Sequence, residues 1–96
     1  MEGLGGALEE LVLRELIAED ISQLAVFHKL RELSLLGCKS IRTIESLAQL
    51  RRLRNLHLKN TGITDLSPLR GLRGLQYNVE GSPASEGLPY GWLTME

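Results

Sequence analysis

The stretch from Leu53 to Leu75, LRNLHLKNTGITDLSPLRGLRGL, carries apolar residues at Leu53, Leu56, Leu58, Ile63, Leu66, Leu69 and Leu72 before the spacing restarts at Leu75. An amphipathic helix needs apolar positions three and four apart throughout, and a half-buried strand needs strict alternation. Neither period holds across the whole stretch. The spacing fits a short strand, then a corner, then a return leg with every third position apolar, which is one turn of a solenoid. One such turn leaves its apolar edges open unless other turns lie against it, so the remaining chain must supply neighbours.

It does. Laid over the rest of the sequence, the stretch defines three units, 8–29, 30–52 and 53–74, with the one extra residue of the second falling in its corner, where Cys-Lys-Ser-Ile stands against Thr-Gly-Ile. Three strand columns follow: Leu8, Leu30 and Leu53; Leu11, Leu33 and Leu56; Leu13, Leu35 and Leu58. The corner columns are Leu16, Cys38 and Thr61, then Ala18, Ile41 and Ile63. The return leg contributes Ile21, Ile44 and Leu66; Leu24, Leu47 and Leu69; and Phe27, Leu50 and Leu72. Thr61 is the one polar residue in these columns. Apolar side chains every third residue suit a 3₁₀ or short helical leg, and Ser67-Pro68 supplies an N-cap and a first helical residue for the third. Asp20-Ile21-Ser22 offers similar starting residues for the first leg.

The unit LxxLxLxx(C/T)xxI resembles a leucine-rich repeat over roughly residues 8–75. Its short length and the ITDLSPL segment are similar to internalin-type repeats of bacteria and to the cysteine-containing repeats of trypanosomatid proteins. The resemblance implies an α/β fold: a right-handed leucine-rich-repeat solenoid, with a short parallel sheet on the concave face and 3₁₀ or short-helical return legs. It says little about function, because one fold hosts many. Leu16 and Thr61 stand where that family has Asn or Cys, so the usual hydrogen-bonded corner ladder is expected to be missing, with Cys38 alone in place.

The ends depart from the pattern. The lead-in 1–7 is too short for a helical cap. After Leu75, Asn78 and Glu80 fall where strand leucines belong, so 75–96 reads as an incomplete fourth strand, at most Leu75–Val79, and a tail. Three readings of that tail stay open: a cap folded over the last repeat, a disordered segment, or an arm that docks on a partner through Tyr90 and Trp92. Open repeat ends also allow copies to stack into a homo-oligomer.

The net charge of −1 hides a segregation: residues 1–27 hold six acids and one base, residues 28–73 ten bases and three acids, and residues 74–96 three acids alone. The single cysteine cannot form an internal disulfide, no apolar run is long enough to span a bilayer, and the acidic start fits neither a secretory signal nor a mitochondrial presequence. The expected location is the cytoplasm or nucleus, away from membranes.

No catalytic set emerges. Cys38 and His57 belong to adjacent turns, but Cys38 fills an inward column while His57 alternates outward, so they do not form a nucleophile pair. No metal-spaced His/Cys set and no phosphate-binding Gly loop occur, and no cofactor is expected. Surface carries the rest. Between the strand leucines, Glu10, Glu32 and Asn55 form one outward column, continued by Tyr77; Val12, Ser34 and His57 form a second, continued by Val79; Arg14, Leu36 and Lys59 form a third. At the strand starts, Lys29 and Arg31, then Arg51, Arg52 and Arg54, then Arg73 make a basic ridge, flanked by His28 and Arg70. The expected function is a non-catalytic protein-interaction module, part of a larger assembly or a longer parent chain, binding through Glu10, Glu32, Ser34, Leu36, Asn55, His57 and Lys59. An acidic protein segment suits the ridge. The alternatives are a nucleic-acid accessory module that uses the arginines and a self-stacking structural oligomer.

Overall fold

The computed structural model describes residues 8–17, 21–88 and 91–95. The lead-in 1–7, Ala18, Asp20 and Tyr90 lie outside the described residues.

Five strands form one sheet in sequence order: β1 (Glu10–Arg14), β2 (Glu32–Leu36), β3 (Asn55–His57), β4 (Gln76–Asn78) and β5 (Leu93–Thr94). The first four are parallel and β5 runs antiparallel to β4. Leu11, Leu33, Leu56 and Tyr77 are in register on the inward side, and Val12, Ser34, His57 and Asn78 on the outward side. Between strands the chain returns through 3₁₀ segments at Ser22–Val26, Glu45–Gln49 and Ser67–Gly71. Each leg's apolar residues three apart fall on one side of a threefold turn, closed by Leu24 N–H to Ile21 O at 2.9 Å, Leu47 to Ile44 at 3.0 Å and Leu69 to Leu66 at 3.0 Å. Ser67 does not cap the third leg. It is already the first residue of that segment, and Asp65 accepts both its N–H and its hydroxyl at 2.9 Å. The capping acceptor thus comes from two residues earlier.

Leucine and isoleucine from both legs of each turn meet in one core running from Ile21 to Val79. Its two ends differ. Leu8, Leu11, Leu13 and Leu16 of the first turn are only partly buried, because among the described residues a neighbouring turn covers them on one side alone. Leu75, Tyr77 and Val79 of the last turn are buried like the interior leucines. The segment after the fourth turn covers them, with Met95 N–H donating to Leu75 O at 2.7 Å and Gly74 N–H to Met95 O at 2.8 Å. The tail is therefore a cap, and the C-terminal end of the stack is closed rather than open.

Beyond Leu75 the register differs from the sequence expectation. Gln76 and Asn78, not Tyr77 and Val79, continue the two outward columns, and Tyr77 and Val79 face the core. The cause is one missing residue at the strand start. In the second and third turns two consecutive amides share one carbonyl: Arg31 and Glu32 donate to Glu9 O at 2.7 and 3.0 Å, and Arg54 and Asn55 to Arg31 O at 2.8 and 3.1 Å. In the fourth turn Gln76 alone donates to Arg54 O, at 2.8 Å. Removing one residue from a strand exchanges its two faces.

Only part of a corner ladder forms among the described residues: Cys38 and Ser82 each reach a carbonyl of the preceding turn, while the Thr61 hydroxyl bonds Leu58 O of its own turn at 3.0 Å. The buried Cys38 thiol lies 3.7 Å from Leu13 O of the preceding turn. Ser82 holds the same position in the fourth turn. Its hydroxyl donates to Leu58 O at 2.6 Å and accepts from Thr61 N–H at 3.0 Å, with the Thr61 hydroxyl 2.8 Å away. The strands also end alike: Glu15 (φ 51°), Gly37 (φ 71°), Asn60 (φ 57°) and Gly81 (φ 79°) occupy one left-handed position in successive turns. There Glu15, Gly37 and Asn60 donate to Leu36, Lys59 and Glu80 carbonyls at 2.8, 3.0 and 2.9 Å.

Candidate functional site

The outward face of the sheet gathers side chains from all five strands. Alternation along each strand sends Glu10, Val12 and Arg14 outward from β1 and Glu32, Ser34 and Leu36 from β2, in register pair by pair. Asn55 and His57 continue the first two rows on β3. Lys59 lies just past the end of β3.

Within this face Glu32 Oε2 stands 3.8 Å from His57 Nε2, an ion pair whenever the imidazole is protonated. Lys59 Nζ lies 4.0 Å from Glu80 Oε1. Glu80 Oε2 accepts Gly91 N–H at 2.7 Å, which ties the C-terminal strap to the same edge. Trp92 precedes β5, whose Leu93 faces the core opposite Tyr77, so the indole falls outward. It meets His57 edge-on, with ring centroids 4.6 Å apart and planes at 82°. About half of Trp92 is exposed, and so is Val12 at the other end of the row, while Ile17 is 90% exposed beside the face.

Of the residues expected on this face, Ser34 is not available to a partner. Its 5% exposure reflects a short side chain between the longer Val12 and His57. Leu36 faces outward but is half buried, and it lines a recess of about 660 Å³ with Arg14, Glu15, Ile17, Gly37, Lys39 and Asn60. Glu10 is exposed, and Glu32, Asn55, His57 and Lys59 are partly so. Glu80 and Trp92 join them. In the sequence Glu80 marks only a break in the leucine pattern, and the contact of Trp92 with His57 depends on the pairing of β5 with β4.

The basic residues divide. Lys29, Arg31, Arg52 and Arg54 line one recess of about 270 Å³ together with Glu9. Arg51 and Arg73 are exposed but do not line it. Cys38 is fully buried and His57 points to the opposite side of the sheet, so the two do not meet. Among the described residues no cluster of His, Cys, Asp or Glu could hold a metal ion, and no helix is long and apolar enough to cross a membrane. Asp65, whose carboxyl is held below its ordinary range by the Ser67 backbone N–H and then the Ser67 hydroxyl, lies on a return leg away from this face.

A scan against protein-family models gives no match, and no curated protein matches by sequence. Solved structures do match. An internalin (inlF) from Listeria monocytogenes aligns with a TM-score of 0.68 and 33% identity over 78% of this chain and 22% of its own. An internalin C2 from the same organism aligns with a TM-score of 0.72 and 32% identity over 78% of this chain and 33% of its own. The chain thus spans a third or less of the length of these two proteins. The repeats are leucine-rich repeats and the fold is that of a leucine-rich-repeat solenoid.

Proposed function

We propose that this leucine-rich-repeat chain is a non-catalytic binding module that captures a protein partner on the outward face of its sheet. Folds of this internalin-like kind generally mediate protein–protein interaction. The observation that carries the choice of face is Trp92, half exposed and braced edge-on by His57. Aromatic side chains held rigid on a surface supply contact area at little entropic cost and dominate binding energies where they occur. Val12 and Leu36 extend the apolar contact, while Glu10, Glu32, Asn55 and Lys59 form a polar surround that fixes orientation. The buried, unpaired thiol of Cys38 suits a reducing compartment, and the cytoplasm or nucleus is part of the same proposal.

The reading is tested by partner capture with intact chains. Leu36→Glu places a charge on the face and is expected to abolish capture while leaving the circular dichroism spectrum unchanged. Val26→Glu alters an exposed apolar residue on a return leg and is expected to capture as the wild type does. Equal loss in both variants, or unfolding of Leu36→Glu, contradicts the proposal.

A further inference from the structure

We propose that the recess at the strand starts is a carboxylate-binding site, and that the segment captured on the sheet carries acidic side chains followed by a basic one. The inference rests on the protein-binding reading above and gives the partner a chemistry.

The recess follows from the backbone. Where two consecutive amides share one carbonyl, the strand begins with a residue outside the inward-outward alternation. Arg31 and Arg54 hold that place in the second and third turns, and Glu9 supplies the carbonyl below Arg31. Parallel strands about 4.8 Å apart set such residues in a row. Lys29 and Arg52, from the connections just before, complete the lining. The fourth turn lacks the extra residue, so the row ends at Arg54.

Four cations thus share one recess with a single carboxylate. Among the described residues one ion pair forms there, Arg31 Nη1 to Glu9 Oε1 at 4.0 Å, with both side chains more than half exposed. Among the described residues the Arg54 guanidinium donates to the Leu53 carbonyl, at 3.5 Å, and forms no ion pair. Like charges held this close repel, and an anion between them relieves that. Guanidinium groups match carboxylates in particular, because their parallel N–H donors meet both oxygens.

A second recess of about 240 Å³ shares Glu9, Arg31 and Arg54 with the first and adds Glu10, Glu32 and Asn55. The basic recess therefore opens directly onto the sheet face, and the sign of charge reverses across the row of arginines. A uniform polyanion such as a nucleic-acid backbone meets Glu10 and Glu32 as soon as it extends onto the face. No aromatic side chain lines either recess to stack on bases. A peptide with carboxylates against Lys29, Arg52 and Arg54 and an ammonium group against Glu10 and Glu32 satisfies both halves.

The test is a nuclear magnetic resonance titration of the intact chain at one low salt concentration. The probes are the peptide acetyl-Glu-Glu-Gly-Gly-Lys-Lys-amide, hexaglutamate and an oligothymidylate. The mixed peptide is expected to shift the Arg31 and Arg54 guanidinium and Glu32 amide resonances, and to bind at least about threefold tighter than either polyanion, the ratio that surface ion pairs supply. Arg52→Glu with Arg54→Glu should weaken it at least about threefold, whereas Arg51→Glu with Arg73→Glu should leave it unchanged. Tighter binding of hexaglutamate or oligothymidylate, equal loss in both double variants, or no shift with the mixed peptide overturns the proposal. Val26→Glu, on a return leg and in neither recess, should not alter the titration. The titration reads the recess and the capture assay reads the apolar face, so failure of the first leaves the partner-capture reading standing.

Discussion

Trp92 stands edge-on to His57, with ring centroids 4.6 Å apart and an interplanar angle of 82°. His57 belongs to the third strand and Trp92 to the strap that follows the fourth turn, so the contact joins the repeats to a segment outside their pattern. It forms because β5 pairs with β4 and carries the chain back to the outward face. Glu80 fastens the same corner by accepting Gly91 N–H and lying beside Lys59. The face offered for binding is thus part repeat and part strap.

Trp92→Ala should lower stability by about 1 kcal/mol, the size of an aromatic pair, and loosen the strap. Urea unfolding measures the first effect, and faster exchange of the Met95 amide, which bonds Leu75 O, measures the second. Trp92 is the sole tryptophan, so His57→Ala should shift its emission to the red as one side of the indole becomes wet.

Ser82→Ala should cost about 1–3 kcal/mol, because Thr61 N–H loses its buried acceptor and Leu58 O a donor. Ser85→Ala removes a bond to Ser82 O from a less buried position and should cost less. Thermal or urea unfolding of the two variants side by side checks the order.

Glu15→Asn should stabilise the chain by about 1 kcal/mol, because a left-handed conformation is unfavourable for a long side chain and tolerated by Asn. Gly81→Ala should do the opposite and more strongly, since an added Cβ would overlap the Asn60 side chain. Denaturant midpoints measured on one preparation of each variant decide both.

The repeats were legible because a solenoid buries the same columns turn after turn, and a leucine column survives any detail of its corners. Beyond Leu75 legibility failed for a definite reason. One residue is missing at the strand start, which exchanges the faces, and Tyr77 and Val79 then take the leucine places. Ser82 is hidden by the same break, so of the two corner groups that reach a preceding turn only Cys38 is legible. The left-handed column was obscured because Glu15 and Asn60 share it with Gly37 and Gly81. On the binding face, alternation placed Glu10, Glu32, Leu36, Asn55 and His57 outward. It could not show that Ser34 is covered, because that depends on the length of its neighbours.

Asp65 gives a pH signature. Hydrogen bonds from Ser67 to its carboxylate lower its pKa below the ordinary 3.8, so the folded chain binds this proton less readily than the unfolded one. Its stabilising contribution is therefore complete above that value and is lost as the pH falls through the lowered one. Asp65→Asn should flatten the acid limb of the stability curve below about pH 4, with no change of slope near neutrality. Unfolding midpoints across that acid range check the difference.

The most direct measurement is capture of a partner from the native cell by the wild type, Leu36→Glu and Val26→Glu chains, each shown folded by circular dichroism. A protein-binding sheet face requires the same partner on the wild type and Val26→Glu chains and its loss from Leu36→Glu. A partner retained by Leu36→Glu and lost from Val26→Glu would contradict the account and move the binding surface to the return legs.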